Sequence, residues 1–274
     1  MDLLPLALYA AAAVAYGAHF VRPDRGRGST ATALLAAGVV AHTFVIGMRT
    51  VEVGHAPLAG TSSAISAFVW LLAIAYLYLE IRTEERAMGV FIAALLAALQ
   101  LAAAVDRPET EPRAAVLDSP LFLVHVLSLL FAYASFALAA VVGLTYVLLF
   151  KEIKAKHLGF FYRRLPSLQA LDRMNARAVR VGWIFLTLGV AVGAVWAVEA
   201  RRAAPADPRL QAMSLADPKI FVALVCWGVY SFHVVARRFG WSGRRAAWLS
   251  TIGFAVVLLN FVAVGYFLTR SHNF

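Results

Sequence analysis

Two histidines bracket a basic connection in the second half of the chain. His125 follows Pro120 by a little over one helical turn, and His272 sits in the closing TRSHNF. Between them runs EARRAAPADPRLQAMSLADPKIF, residues 199–221, carrying Arg201, Arg202, Arg209 and Lys219. Imidazole suits iron, and two imidazoles from different helices can ligate one iron axially. Spacing alone leaves a plainer reading open, in which one is an interfacial residue and the other a tail residue. His42 and His233 form a second pair, inside apolar runs. They are offset in depth by roughly 10–15 Å at the rise of an α-helix. A single haem plane along the membrane normal is not easily held by that pair. They would instead line a path through the bilayer or bond to backbone carbonyls. His19, His55 and His157 fall at the ends of runs or in connections.

The rest of the chemical inventory is short. Cys226 is the only cysteine and lies mid-run, where a thiol behaves as a small hydrophobe. No C-x-x-C-H occurs, so the chain is not itself a c-type cytochrome. Without a C-x-x-C it is not a thiol-disulfide carrier. No glycine-rich phosphate loop and no internal repeat is visible.

These residues must be positioned by membrane helices. Of the 274 residues 62% are hydrophobic and 15% charged, and the mean hydropathy is +0.75. A soluble domain of this length cannot bury that much apolar surface. Apolar runs near the ~20 residues that cross a bilayer recur eight times: roughly 3–21, 31–48, 62–81, 87–105, 120–150, 179–198, 218–236 and 247–269. Each span must be helical, because lipid offers the backbone no hydrogen-bond partner. The first run lacks a basic leader, so it reads as a span rather than a signal peptide. The fifth is too long for one bilayer thickness and predicts a helix that tilts or runs on into the cytoplasm. In the connection 151–178, Leu165-Pro166-Ser167 predicts a short interfacial helix capped by Ser167, with Leu168, Leu171 and Met174 on one face.

Charge sets the orientation. One set of alternate connections holds 17 of the 25 Lys and Arg residues, which makes that side cytoplasmic and places both termini outside. The net charge of +10 is then explained by topology and anionic lipid, with no nucleic-acid partner. The expected fold is all-α: a polytopic helical bundle of about eight transmembrane helices, one integral-membrane domain over 1–274, in a bacterial inner membrane. Asp217-Pro218-Lys219 predicts the start of the seventh span, with Asp217 capping the first turn and Pro218 in the first helical position.

Several ordered stretches carry a family resemblance: LVHVLSLLFAYASFALAAVVGLTYVLL, then R-L-P-S-L, then T-L-G-x-x-x-G-A-x-W-A, D-P-K and G-W-x-G-R-R-A-A-W. Together they resemble the cytochrome c assembly family, which includes the haem-handling subunit of the cytochrome c synthetase (CcsA) and HemX-like proteins. The resemblance is strongest over 120–274 and weaker over 41–70. It implies haem b held at the outer face between two external histidines, for attachment to apocytochrome c. His125 matches the first of these and His272 the second, as ligands of the haem iron. Trp196 matches the lead-in tryptophan of the family's Trp-rich loop, and Asp217-Pro218-Lys219 its end. Arg201, Arg202 and Lys219 would then face the haem propionates; the alternative is contact with lipid headgroups or with Glu199 and Asp207. A synthetase of this kind works with a second cytochrome c assembly subunit. The chain departs from the pattern in three places. QAMSLADPKIF has no Trp, Ile220 stands where the family has an acid, and His233 is displaced by about two residues, roughly 200° around a helix. The first departure favours the alternative of a HemX-like accessory or regulatory protein without catalysis. A haem-free transporter using His42 and His233 is the third reading.

Overall fold

In the computed structural model, residues 3–56, 61–105, 119–156, 159–203 and 218–258 are described. Their regular structure is α-helix throughout: α1 Leu3–Val21, α2 Arg25–Val53, α3 Thr61–Thr83, α4 Gly89–Val105, α5 Pro120–Lys154, α6 Leu168–Ala203, α7 Pro218–Arg238 and α8 Gly243–Leu258. Six of them are long and apolar enough to cross a membrane, and α4 and the described part of α8 are shorter. The chain is thus a helical, multi-pass membrane protein.

Contacts between helix ends set the helices alternately up and down. Glu80 near the end of α3 accepts from Tyr16 near the end of α1. Arg177 in the first turns of α6 reaches the Arg82 carbonyl at the end of α3, and Asp172 of α6 pairs with Arg237 at the end of α7. The turns after α1, α3, α5 and α7 therefore share one end, which carries most of the basic residues, while His125 lies at the other. The first four helices pack as one group, α1 against α2 and α4, and α3 against α2 and α4. In the second group α5 packs against α6 and α8, and α7 against α6 and α8. Helix α3 joins the groups by lying on α5 and α6. Helix α5 is the centre. Its stretch from Ala132 to Ala140 is buried on every face, as expected of a helix that is apolar all round.

Local chemistry accounts for the helix starts. Asp24 accepts from the Arg27 amide and Ser119 from the Leu121 amide, the latter followed by Pro120 in the first helical position. Helix α7 likewise opens at Pro218; its expected cap, Asp217, lies outside the described residues. At 35 residues α5 is about 52 Å long, well beyond the ~30 Å hydrocarbon layer, as its long apolar run predicts.

The region after Ser167 differs from expectation. Ser167 does accept from the Ala170 amide at 3.2 Å, but no separate interfacial helix follows. The segment is the first turns of the 36-residue α6. Leu171 and Met174 are fully buried in the bundle rather than laid on lipid. The charges that suggest a surface helix are drawn into interhelical contacts instead: Asp172 pairs with Arg237 of α7, and Arg177 donates to the Arg82 carbonyl of α3.

Two buried polar networks tie the helices together. Glu80 of α3 is 2% exposed; it accepts from the Tyr16 hydroxyl at 2.6 Å and from Thr32, and the Arg86 guanidinium lies 3.7 Å away. A carboxylate at this depth is tolerable because each oxygen has a donor. In the second network Asn175 of α6 donates to the Ala139 carbonyl of α5 at 2.8 Å, and the Ser250 hydroxyl of α8 donates to Asn175 at 3.1 Å. His233 of α7 completes it, with Nε2 3.1 Å from both Ser250 Oγ and the Ala246 carbonyl.

Candidate functional site

The site is built from the start of α5 and the end of α6. Helix α5 carries His125 one turn inside its cap, and the ring turns toward α6. There Nδ1 lies 2.7 Å from the carbonyl oxygen of Gly189. A carbonyl only accepts, so the proton sits on Nδ1, and Nε2 keeps its lone pair. Among the described residues Nε2 meets no hydrogen-bond partner.

Glycine makes this contact possible. A Cβ on Gly193 would stand 2.3 Å from His125 Nδ1 and 2.4 Å from Cε1. A Cβ on Gly189 would stand 2.7 Å from Leu129 Cδ2 and 3.2 Å from its backbone nitrogen. The two glycines, one helical turn apart, let α5 lie against the backbone of α6, the small-residue packing familiar from membrane helices. Three residues further, Trp196 is 4% exposed. Its ring is nearly parallel to the imidazole, 14° between planes and 6.3 Å between centroids, and Phe122 tilts against it at 5.1 Å. The motif T-L-G-x-x-x-G-A-x-W-A, residues 187–197, thus holds His125 three ways: an acceptor for one nitrogen, space for the ring and an aromatic wall.

The other expected site residues divide into three groups. Arg201 and Arg202 are exposed in the last turn of α6, about 12–14 Å along the axis from Gly193 at 1.5 Å per residue. They lie beyond Trp196 on the same end of the bundle as His125, and cations there also complement the negative end of the helix. Lys219 belongs to the first turn of α7 through its backbone. Asp217 and His272 lie outside the described residues, as does His157.

His42 and His233 are not brought to this site or to each other. His42 is 1% exposed, with Nδ1 3.1 Å from the Tyr9 hydroxyl and Nε2 2.9 Å from Ser66 Oγ. Each nitrogen has a protein partner, and Tyr9 packs edge-on at 5.8 Å. His233 is 2% exposed and bonds to a backbone carbonyl, one of the two roles its sequence position suggests. His55 places Nδ1 3.2 Å from the Ala56 carbonyl just past α2, and His19 places Nδ1 2.9 Å from the Asp24 carbonyl in the first turn. Cys226 is fully buried, as a small hydrophobe would be. Sequence reasoning missed Glu80, Asn175 and Ser250. Glu80 did carry a signal, since an acid closing an apolar run in YLYLEIRT calls for partners.

Comparison with known proteins agrees with the motifs. The family model described as cytochrome C assembly protein matches residues 58–272. Among curated relatives, the cytochrome c biogenesis protein CcsA of Guillardia theta is 26% identical over 252 residues, covering 85% of this chain and 81% of the relative. That of Synechococcus elongatus is 24% identical over 296 residues, covering 91% and 88%. That of Chlamydomonas reinhardtii is 26% identical over 237 residues, covering 83% and 63%. With its signature glycines and tryptophan gathered around His125, and a family match that spans well over half its length, the chain belongs to the cytochrome c assembly protein family.

Proposed function

We propose that the chain holds haem b at the end of the bundle bearing His125, for cytochrome c maturation, with His125 and His272 as the two axial ligands. One observation carries this reading: His125 donates through Nδ1 to a backbone carbonyl and leaves Nε2 open. That is the arrangement of metal-ligating histidines, whose second nitrogen is anchored to fix the tautomer and aim the ring. The donor chemistry fits the group, since neutral imidazole suits haem iron. Bound there, haem supplies the vinyl groups to which the thiols of apocytochrome c add.

The chain's own residues hold and aim. Gly189 keeps the proton on Nδ1, Gly193 admits the ring, and Trp196 stops it rotating. Arg201, Arg202 and Lys219 supply positive charge for carboxylates, Arg through its bidentate fork. In this proposal the basic end faces the cytoplasm by the positive-inside rule, so the His125 end and both termini face outward across a bacterial inner membrane. A second assembly subunit would bring the apocytochrome.

The family's accessory members give the second reading, favoured by the absence of Trp in QAMSLADPKIF. A HemX-like protein without catalysis would keep the bundle and lose the flat aromatic platform. The visible spectrum of the purified protein separates the two. Haem handling gives a Soret band and, on reduction, narrow α and β bands, which the double variant His125→Ala/His272→Ala loses. The same spectrum in that variant rejects the ligand pair. A colourless preparation that carries a haem-synthesis enzyme with it supports the accessory role.

A further inference from the structure

A cavity among the described residues lies at the opposite end from His125. It is an open groove of about 540 Å³ between the last turns of α5 and the first turns of α8. Its walls are apolar and aromatic, with Phe150 on α5, Trp241 in the turn before α8, and Trp248 and Ile252 on α8. Four cations stand around it: Lys151 and Lys154 from α5, Arg244 and Arg245 from α8.

Among the described residues no acid is paired with those cations. The nearby carboxylates are engaged elsewhere: Asp172 with Arg237, and Glu152 with the backbone amides of Phe161 and Tyr162, the latter at 2.9 Å. The two guanidiniums rest on rings instead, Arg244 5.3 Å from the centroid of Phe150 and Arg245 5.9 Å from that of Trp241. Stacking of this kind holds a guanidinium in place while leaving its N–H fork open. The first turn of α8 adds backbone amides of the same polarity.

We propose that this groove binds one anionic phospholipid from the leaflet at the basic end. Lys151, Lys154, Arg244 and Arg245 take the phosphate, and the acyl chains run along Trp248 and Ile252. The shape supports that occupant: Trp248 is 44% and Ile252 56% exposed, so the apolar wall continues down α8 toward the hydrocarbon instead of closing. Basic pockets between membrane helices are recognised sites for acidic headgroups. A porphyrin is a poorer match, because the lining contains no His, Cys, Met or Tyr to meet an iron. The groove also accounts for the G-W-x-G-R-R-A-A-W stretch, whose two arginines and two tryptophans, at 241–248, form one side of the site.

Native mass spectrometry of the whole protein with equimolar phosphatidylglycerol and phosphatidylcholine tests this. Wild type retains phosphatidylglycerol at least about tenfold over phosphatidylcholine, and each cation removed costs roughly fivefold. The double variants R244Q/R245Q and K151Q/K154Q therefore lose most of the preference. Brominated lipids give a readout that needs no variant. Brominated phosphatidylglycerol quenches Trp241 and Trp248 saturably, and brominated phosphatidylcholine does so only weakly. Equal retention of the two lipids, equal quenching, or a wild-type preference in both folded double variants overturns the proposal. So does a haem-induced Soret band that R244Q/R245Q abolishes while its lipid preference stays unchanged.

Discussion

His125 and His42 are both imidazoles in apolar helices, and they differ in what their second nitrogen meets. His42 is closed, with Tyr9 on one side and Ser66 on the other. His125 is half-open: one nitrogen is fixed by Gly189, and the other has no hydrogen-bond partner among the described residues. A closed histidine is a strut between α1, α2 and α3. A half-open one keeps a lone pair free for a ligand role, which is the role proposed for it. Burial alone does not make the distinction, and neither does sequence position. The deciding facts are a carbonyl at hydrogen-bond distance and a missing Cβ.

That contrast breaks if the polar networks also carry function. The largest expected effect is on stability. Glu80→Ala strips the Tyr16 hydroxyl of its acceptor, leaves Thr32 only the Gly28 carbonyl, and should cost about 2–4 kcal/mol, read as a lower melting temperature in detergent. The haem spectrum of the folded fraction should not change. A lost spectrum with stability intact would move function to the first four helices.

Gly193→Ala sharpens the comparison from the other side. Its Cβ cannot coexist with the ring of His125 at 2.3 Å, so the imidazole must swing off its anchor. Haem affinity should fall about 10–100-fold, the usual cost of disturbing a ligand's support, with little change in helix content. His42→Ala is the matched control. It leaves Tyr9 and Ser66 without their partner and should cost about 1–3 kcal/mol, with haem affinity unchanged. The smallest effect belongs to Glu85, in the turn between α3 and α4. Burial raises its pKa against the opposing pull of Arg173. A carboxyl raised on folding favours the folded state most when protonated and loses that advantage as pH climbs through its folded value. Glu85→Gln should therefore be neutral to stabilising at pH 7, within about 0.5 kcal/mol, and the difference should vanish in acid, as a melting series from pH 4 to 8 will show.

Much of the fold could be read beforehand from local signals. Apolar runs mark each of the described helices, and Ser119-Pro120 and Pro218 mark where two of them start. The first turns of α6 could not be separated from a surface helix, because Asp172, Arg173, Arg177 and Arg180 look solvent-facing until Arg237 and the Arg82 carbonyl are seen beside them. The site was half legible. His125 and Trp196 stood out as residues, but the reason for Gly189 and Gly193 lies across 64 positions of sequence. No local pattern shows which carbonyl an imidazole will reach. The same distance effect hid the partnership of Thr32 with Glu80, 48 positions apart.

The central claim is that Nε2 of His125 is an iron ligand. Haem-loaded His125→Ala, followed by visible spectroscopy before and after adding imidazole, tests it most directly. The claim predicts loss of the narrow reduced α and β bands and their return when free imidazole fills the space left by the side chain. Bands that persist in His125→Ala without imidazole, in a protein that is folded and haem-loaded, would contradict it.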